Sequence, residues 1–237
     1  MTSKFSSLAL AATTAAIALT LGLQARAHTT AQVQASEGTT TYNNLVIGHG
    51  CTLANGTKLP VIAQSVVFPT VNPKFTTTGT FAGNPAVVSI TSVANLAQLI
   101  QSKDIFSKQK EKTNAAGNVI GFESTEGSLE PSLHGLVPFR TAGVSFPADS
   151  CATKLVVQVA VADICQKLGA KNLWIPSVTT KYSDPAVDGI GSPASLTFNR
   201  DLAKNPLPAA CGAGYFVTVT PSAEDVDANL KIDGYLN

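Results

Sequence analysis

The sequence predicts a mainly β protein: a single β-sandwich of immunoglobulin or cupredoxin type, with one short helix and a long surface excursion. Three observations point there. Short runs rich in Val, Ile, Phe and Thr recur along the chain, bounded by Gly, Pro, Asn and Asp, as strands closed by turns require. They fall at residues 45–47, 61–68, 86–93, 143–146, 154–164, 173–178, 195–198 and 215–220, a spacing that suits a sandwich. The stretch Lys154-Leu155-Val156-Val157-Gln158-Val159-Ala160-Val161 is nearly continuous apolar and reads as a strand buried on both faces. Hydrophobic content of 44% in 237 residues is enough for one sizeable core.

Taken in order, the chain opens on a secretory signal. Lys4 gives a positive start, residues 8–23 are mostly apolar, and Ala25-Arg26-Ala27 is a small-x-small cleavage site. Cutting after Ala27 leaves residues 28–237 as one domain and makes His28 its first residue. Residues 32–41 are polar and flexible in composition. From Ala94, the apolar residues Leu96, Leu99, Ile100 and Ile105 recur at near-helical intervals, with Ser92 available as a cap, so a short helix is expected there. Residues 108–130 turn polar and carry Lys108, Lys110, Glu111 and Lys112; this is the expected solvated excursion between strands. Asp225-Val226-Asp227-Ala228-Asn229 opens like a calcium loop but lacks its glycine and closing glutamate, and reads as an acidic surface turn. The tail from about Asn205 holds Cys211 and one strand, so a disulfide there would tie it to the core.

Composition excludes several classes. With 16 basic and 15 acidic residues, and only 13% charged, the chain has no basic footprint for nucleic acid. It has no polybasic membrane patch either. Beyond the signal no run of about 18 apolar residues remains to span a bilayer. All four cysteines, Cys51, Cys151, Cys165 and Cys211, lie in the exported part, without a C-x-x-C pair. An even count in an oxidising compartment predicts two disulfides with three connectivities open. The protein is therefore expected to be secreted, periplasmic or displayed at the cell surface.

Chemistry then narrows to a few side chains. The sole methionine is Met1, which leaves with the signal, so no thioether ligand remains for a blue-copper site. The histidines are His28, His49 in Gly48-His49-Gly50-Cys51, and His134 in Ser132-Leu133-His134-Gly135. Their flanking glycines place the last two in loops or at strand ends. A free amine and an imidazole on His28 would chelate one metal ion, and further imidazoles suit Cu(II), with Zn(II) as competitor. Trp174, the only tryptophan, is either a core residue or a ring packed against the ion. Tyr42 and Asn43 are candidate outer partners of such a site.

The pattern His28, Tyr42, His49-Gly50-Cys51, Val156-Val157-Gln158, Cys165 and Trp174-Ile175-Pro176 resembles the YcnI-like family of exported copper proteins. The resemblance covers about residues 27–176 and implies Cu(II) bound by an amino-terminal histidine brace. Where that family has a glutamate after the tyrosine, this chain has Asn43, an uncharged and weaker ligand; His49 or His134 is then expected to replace the carboxylate. A looser resemblance, in size, setting and residue content, is to the copper-repressible surface proteins of methane-oxidising bacteria of the MopE and CorA type. It implies copper held by two histidines and a kynurenine, here derived from Trp174.

Enzyme chemistry finds little footing. A copper oxygenase would need a two-histidine brace with a substrate surface that nothing in the sequence marks. No G-x-S-x-G occurs, and His134 has no triad pattern around it. The expectation is thus a copper-binding protein for acquisition, storage or delivery, with His28, His49, His134 and Trp174 at its site; the non-metal alternative is a secreted surface or adhesion module whose histidines are incidental. Its expected partners are the copper ion and a copper transporter or surface cytochrome.

Overall fold

One strand of 13 residues organises the larger sheet, Ala152–Ile164, and four other strands pair with it directly. The computed structural model describes residues 28–78 and 93–237. Within them run β1 (Thr30–Ala31), β2 (Ala35–Ser36), β3 (Thr41–Ile47), β4 (Cys51–Thr52), β5 (Lys58–Leu59), β6 (Ala63–Val67) and β7 (Lys74–Thr78). After the undescribed stretch come β8 (Ala97–Leu99), β9 (Phe106–Thr113), β10 (Val119–Gly127), β11 (Gly135–Thr141) and β12 (Ala152–Ile164). The chain closes with β13 (Lys171–Trp174), β14 (Ala194–Asn199), β15 (Tyr215–Thr220) and α1 (Ala223–Asn229).

Among the described residues, one sheet has the order β1-β3-β11-β8. A larger one runs β2-β14-β12-β6-β10-β9, with β13, β15 and β7 attached through β12, and β4 pairs with β5 as a separate two-stranded ribbon. Alternation drives their packing. Strand β3 buries Asn43, Leu45 and Ile47 on one face, and β11 buries Val137 and Phe139 on the same side. Against these lie Val66, Phe122, Leu155, Val157, Val159, Val161, Leu196, Phe198, Val217 and Val219 from the larger sheet, in one core. Two sheets joined through alternating inward residues make a β-sandwich, as the sequence predicts.

Strand β12 changes character halfway. Its first half pairs with β14 and, in parallel, with β15; its second half pairs with β6 and β13. In the first half Ala152, Leu155, Val157 and Val159 lie in the core, while Lys154, Val156 and Gln158 are half-buried on the other side. In the second half both faces are covered. Ala160, Ala162 and Ile164 meet Ala63, Val67, Leu173 and Ile175, and over them lie Val226, Leu230, Ile232 and Leu236 of the tail. Double coverage is why the sequence there reads as a continuous apolar run.

Four expectations are corrected. No helix starts at Ala94: Asn95 takes a φ of 60°, which ends any right-handed turn, and Ala97–Leu99 instead pairs with the edge of β11. Residues 108–130 are not a loop excursion, because most of them form the β9–β10 hairpin around a turn in which the Asn114 carboxamide accepts from the backbone of Ala116 and Asn118. Its lysines stand on an edge strand, where Lys108 reaches Glu126 at 2.6 Å and Lys110 reaches Glu123 at 3.2 Å across the hairpin. Charged side chains on an edge discourage pairing with another chain. Residues 143–146 are irregular rather than a strand, and most of the expected strand at 86–93 lies outside the described residues.

The acidic surface turn is in fact α1. Ser222 caps it by accepting from the Asp225 amide, and the fully buried Asp225 carboxylate accepts the backbone N–H groups of Thr70 and Val71 at 2.7 and 2.8 Å. That bond ties the tail to the segment after β6. Cys151, just before β12, is bonded to Cys211, which fixes the tail a second time. Among the described residues no helix is long and apolar enough to cross a membrane.

Candidate metal centre

The far end of β12 carries the polar chemistry. Side chains alternate along the strand, so Asp163 points to the same face as Val159 and Val161, into the sandwich. Directly opposite it are Gln64 on β6 and Asn172 on β13. One row further in, Val161 is flanked by Val66 and Trp174. A polar row thus closes the apolar core at this end. Asp163 is completely buried. Its Oδ2 accepts from the Trp174 indole N–H and from the Thr29 hydroxyl, both at 2.6 Å, and its Oδ1 accepts from the Gln64 amide at 2.8 Å. Burial raises its pKa above the usual carboxylate value, against the pull of these three hydrogen bonds and of the nearby His49.

These bonds assemble the site from three distant stretches of chain. Thr29 anchors the amino-terminal segment and so brings His28 against Trp174, with ring centroids 5.2 Å apart in an edge arrangement. His49 comes to the same indole at 6.0 Å, also edge-on. It is delivered by β3 and held by the neighbouring Cys51–Cys165 disulfide, which joins β4 to the residue after β12. Trp174 itself is 2% exposed, whereas both imidazoles are half-buried at the surface of the cluster.

His49 is oriented by its backbone. Its Nδ1 donates to the carbonyl of Gly50, which can only accept. On the other side of the ring, Nε2 lies 3.9 Å from the Asp188 Oδ2. Gly50 has no room for a side chain, since a Cβ there would sit 2.0 Å from the Leu59 carbonyl oxygen. The glycine beside His49 is therefore a packing requirement. Gly189, next to Asp188, has a φ of 101° and lies so close to the indole that a Cβ would come within 2.6 Å of Trp174.

Of the residues singled out in the sequence, His28, His49 and Trp174 are brought together. His134 is exposed in the loop one residue before β11 and makes no ring contact with them. Tyr42 is 73% exposed, and Asn43 is consumed elsewhere. Asn43 accepts the Val33 and Asn44 amide protons and donates to the Val33 carbonyl, so it pins the amino-terminal segment to β3 rather than touching the histidines. Sequence reasoning missed Asp163, Gln64, Thr29 and Asp188. Asp163 left a trace, being the lone charge inside Val159-Ala160-Val161-Ala162-Asp163-Ile164. Asp188 left none. Among the described residues no three His, Cys, Asp or Glu side chains form a ready-made metal cage. The proposed signal peptide lies outside the described residues.

Fold and site together define a mainly β sandwich with two disulfides, of the kind that persists in oxidising compartments, and a histidine–tryptophan cluster at one end. No family model matches the chain, and no curated protein does. Among solved structures, an uncharacterized protein from Nocardia farcinica with an immunoglobulin-like fold is similar over 72% of this chain and 96% of its own, with 10% identity and a TM-score of 0.41.

Proposed function

We propose that this is an exported copper-binding protein that acquires, stores or delivers copper through a mononuclear site on His28 and His49 beside Trp174. The observation that carries the reading is the meeting of two imidazoles, from separate segments, on one buried indole. A protonated Nδ1 bound to a carbonyl is the usual preparation of a metal-ligating histidine, because it fixes the tautomer and leaves Nε2 as donor. Nitrogen ligands of this kind suit copper above other divalent first-row metals. Cleavage after Ala27 would add the His28 amine to the set. A transporter or a surface cytochrome is the partner class such a carrier would serve.

Calorimetric titration of the secreted protein with copper tests the reading. His28→Ala and His49→Ala should each weaken binding at least about tenfold, and His134→Ala should leave it unchanged. Equal affinity in all four proteins would remove the site from this end of the sandwich. The same juxtaposition supports a second reading, in which Trp174 is oxidised to kynurenine and its ring-opened form joins the ligand set. Peptide mass spectrometry of the native protein decides between them: an unmodified Trp174 in the copper-loaded form excludes the second.

A further inference from the structure

Away from the histidine–tryptophan cluster, the outer face of the larger sheet has a chemistry of its own. Strands β7, β15, β12 and β14 lie side by side there, and their register sets the outward residues in rows. The middle row is Thr76, Thr218, Val156 and Thr197. One row over stand Thr78, Phe216, Lys154 and Asn199. Their alternates Leu155, Val157, Leu196, Phe198, Val217 and Val219 are buried, whereas every residue of the two rows is exposed or half-buried. On the other side of the middle row the Thr220 hydroxyl donates to the Gln158 carbonyl oxygen at 2.7 Å, and Lys74 and Ser195 flank this pair. With strands about 4.8 Å apart and alternate residues about 6.7 Å apart, the face measures about 14 by 13 Å.

Hydroxyls dominate these positions, with the carboxamides of Gln158 and Asn199 and the amines of Lys74 and Lys154 among them, and no Asp or Glu stands at any. These lysines differ from those of the β9–β10 hairpin, where Lys108 and Lys110 each meet a glutamate. Among the described residues neither Lys74 nor Lys154 has a carboxylate within ion-pair reach. Lys154 Nζ lies instead 4.5 Å from the centroid of the Phe216 ring, which is 43% exposed among polar neighbours. We propose that this face binds an acidic polysaccharide. Its hydroxyls and amides match sugar hydroxyls as donors and acceptors, and the negative face of the Phe216 ring suits the C–H groups of a pyranose. Lys74 and Lys154 then pair with the polymer's carboxylates or sulfates. Charge complementarity sets the sign of the partner, and the hydroxyls set its class. Nucleic acid demands a denser basic footprint than two lysines. An anionic membrane takes inserted apolar side chains, of which this face has only Phe216 and the half-buried Val156. Neither imidazole nor the indole of the candidate metal centre stands on these strands, so the proposal is independent of copper.

Binding of the full secreted chain to immobilised polygalacturonate, dextran sulfate and neutral dextran tests it. The expected result is retention by one or both acidic polymers, reversed by about 0.5 M salt, and none by dextran. The two acidic polymers distinguish carboxylate from sulfate. Lys74→Gln with Lys154→Gln should lower affinity by about tenfold, the scale of two exposed ion pairs. Phe216→Ala should lower it by about threefold. These side chains lie outside the core, and matching denaturant midpoints check that the variants fold. Lys108→Gln with Lys110→Gln removes the same charge from the hairpin and should leave binding within about twofold. Equal loss in that hairpin variant would overturn the proposal, as would equal binding to neutral dextran or to phosphatidylglycerol vesicles. Failure to bind either acidic polymer would overturn it outright.

Discussion

The two ends of β12 solve the same problem in opposite ways. Each is closed by a disulfide, at Cys151 before the strand and at Cys165 after it. Each also buries an ionisable side chain. At the first end Arg200, 5% exposed, donates to the carbonyls of Ser150, Ala152, Ala148, Asn205 and Pro206 and to the Asn205 side chain. Every direction of its guanidinium is used, and Glu37 and Asn205 complete the plug. At the second end Asp163 accepts three donors, but beside it the Gln64 carbonyl oxygen is buried without a partner. Its neighbours are two half-exposed histidines and an exposed acid. A buried polar group left unmatched costs about 1–3 kcal/mol, so this end is less completely satisfied than the other. One end is fully matched; the other leaves one acceptor unmatched.

Removing the disulfides one at a time probes this difference most strongly. They close spans of 114 and 60 residues, for which chain entropy gives nearly equal stabilisation of about 4–5 kcal/mol each. Denaturant unfolding should therefore fall by a similar amount in Cys51→Ser/Cys165→Ser and in Cys151→Ser/Cys211→Ser. Copper affinity should fall only in the first pair, where the disulfide adjoins His49. Equal loss of affinity in both would erase the distinction between the ends.

A smaller effect separates two changes at Asp163. Asp163→Ala leaves the indole N–H, the Thr29 hydroxyl and the Gln64 amide without their acceptor, at a cost of about 3 kcal/mol. In Asp163→Asn one oxygen still serves Thr29 and Trp174, and Gln64 can turn its unmatched oxygen toward the new amide. That variant should lose no more than about 1 kcal/mol in chemical denaturation. Comparable losses for the two variants would mean that the negative charge, not the acceptor pattern, holds this end.

The smallest expected effect is at the matched end. Burial works to raise the Glu37 pKa, but hydrogen bonds from the Phe146 N–H, the Asn205 side chain and the Asp201 N–H, with the charge of Arg200, hold it below 4.5. A depressed carboxylate stabilises the fold above its unfolded pKa and loses that contribution as pH falls through the folded value. The stability difference between wild type and Glu37→Gln should thus be full at neutral pH and shrink below about pH 4.5. A difference independent of pH would show that Glu37 acts by shape alone.

Strands with clean alternation or long apolar runs were legible, as β12, β14 and β15 show, because burial imposes its period directly on the residues. The region after Ala94 misleads because a three-residue edge strand beside a left-handed asparagine leaves apolar residues at helix-like intervals. The β9–β10 hairpin misleads because its outer strand is polar on both faces. In the site, His49 and Trp174 stand out by rarity, and His28 by its place after a cleavage pattern. What joins them is not written locally. Thr29 meets Asp163 across 134 positions, and Asp188 meets His49 only through a loop whose course is set by glycines.

Such distant joining sets the order in which the molecule comes to life. His28 leads the described residues, yet its indole neighbour and the carboxylate beneath it arrive only with β12 and β13. Contacts this remote in sequence form late and slowly. Any ligand of this end must therefore wait for a nearly complete chain, since neither imidazole meets the indole until β13 has paired with β12.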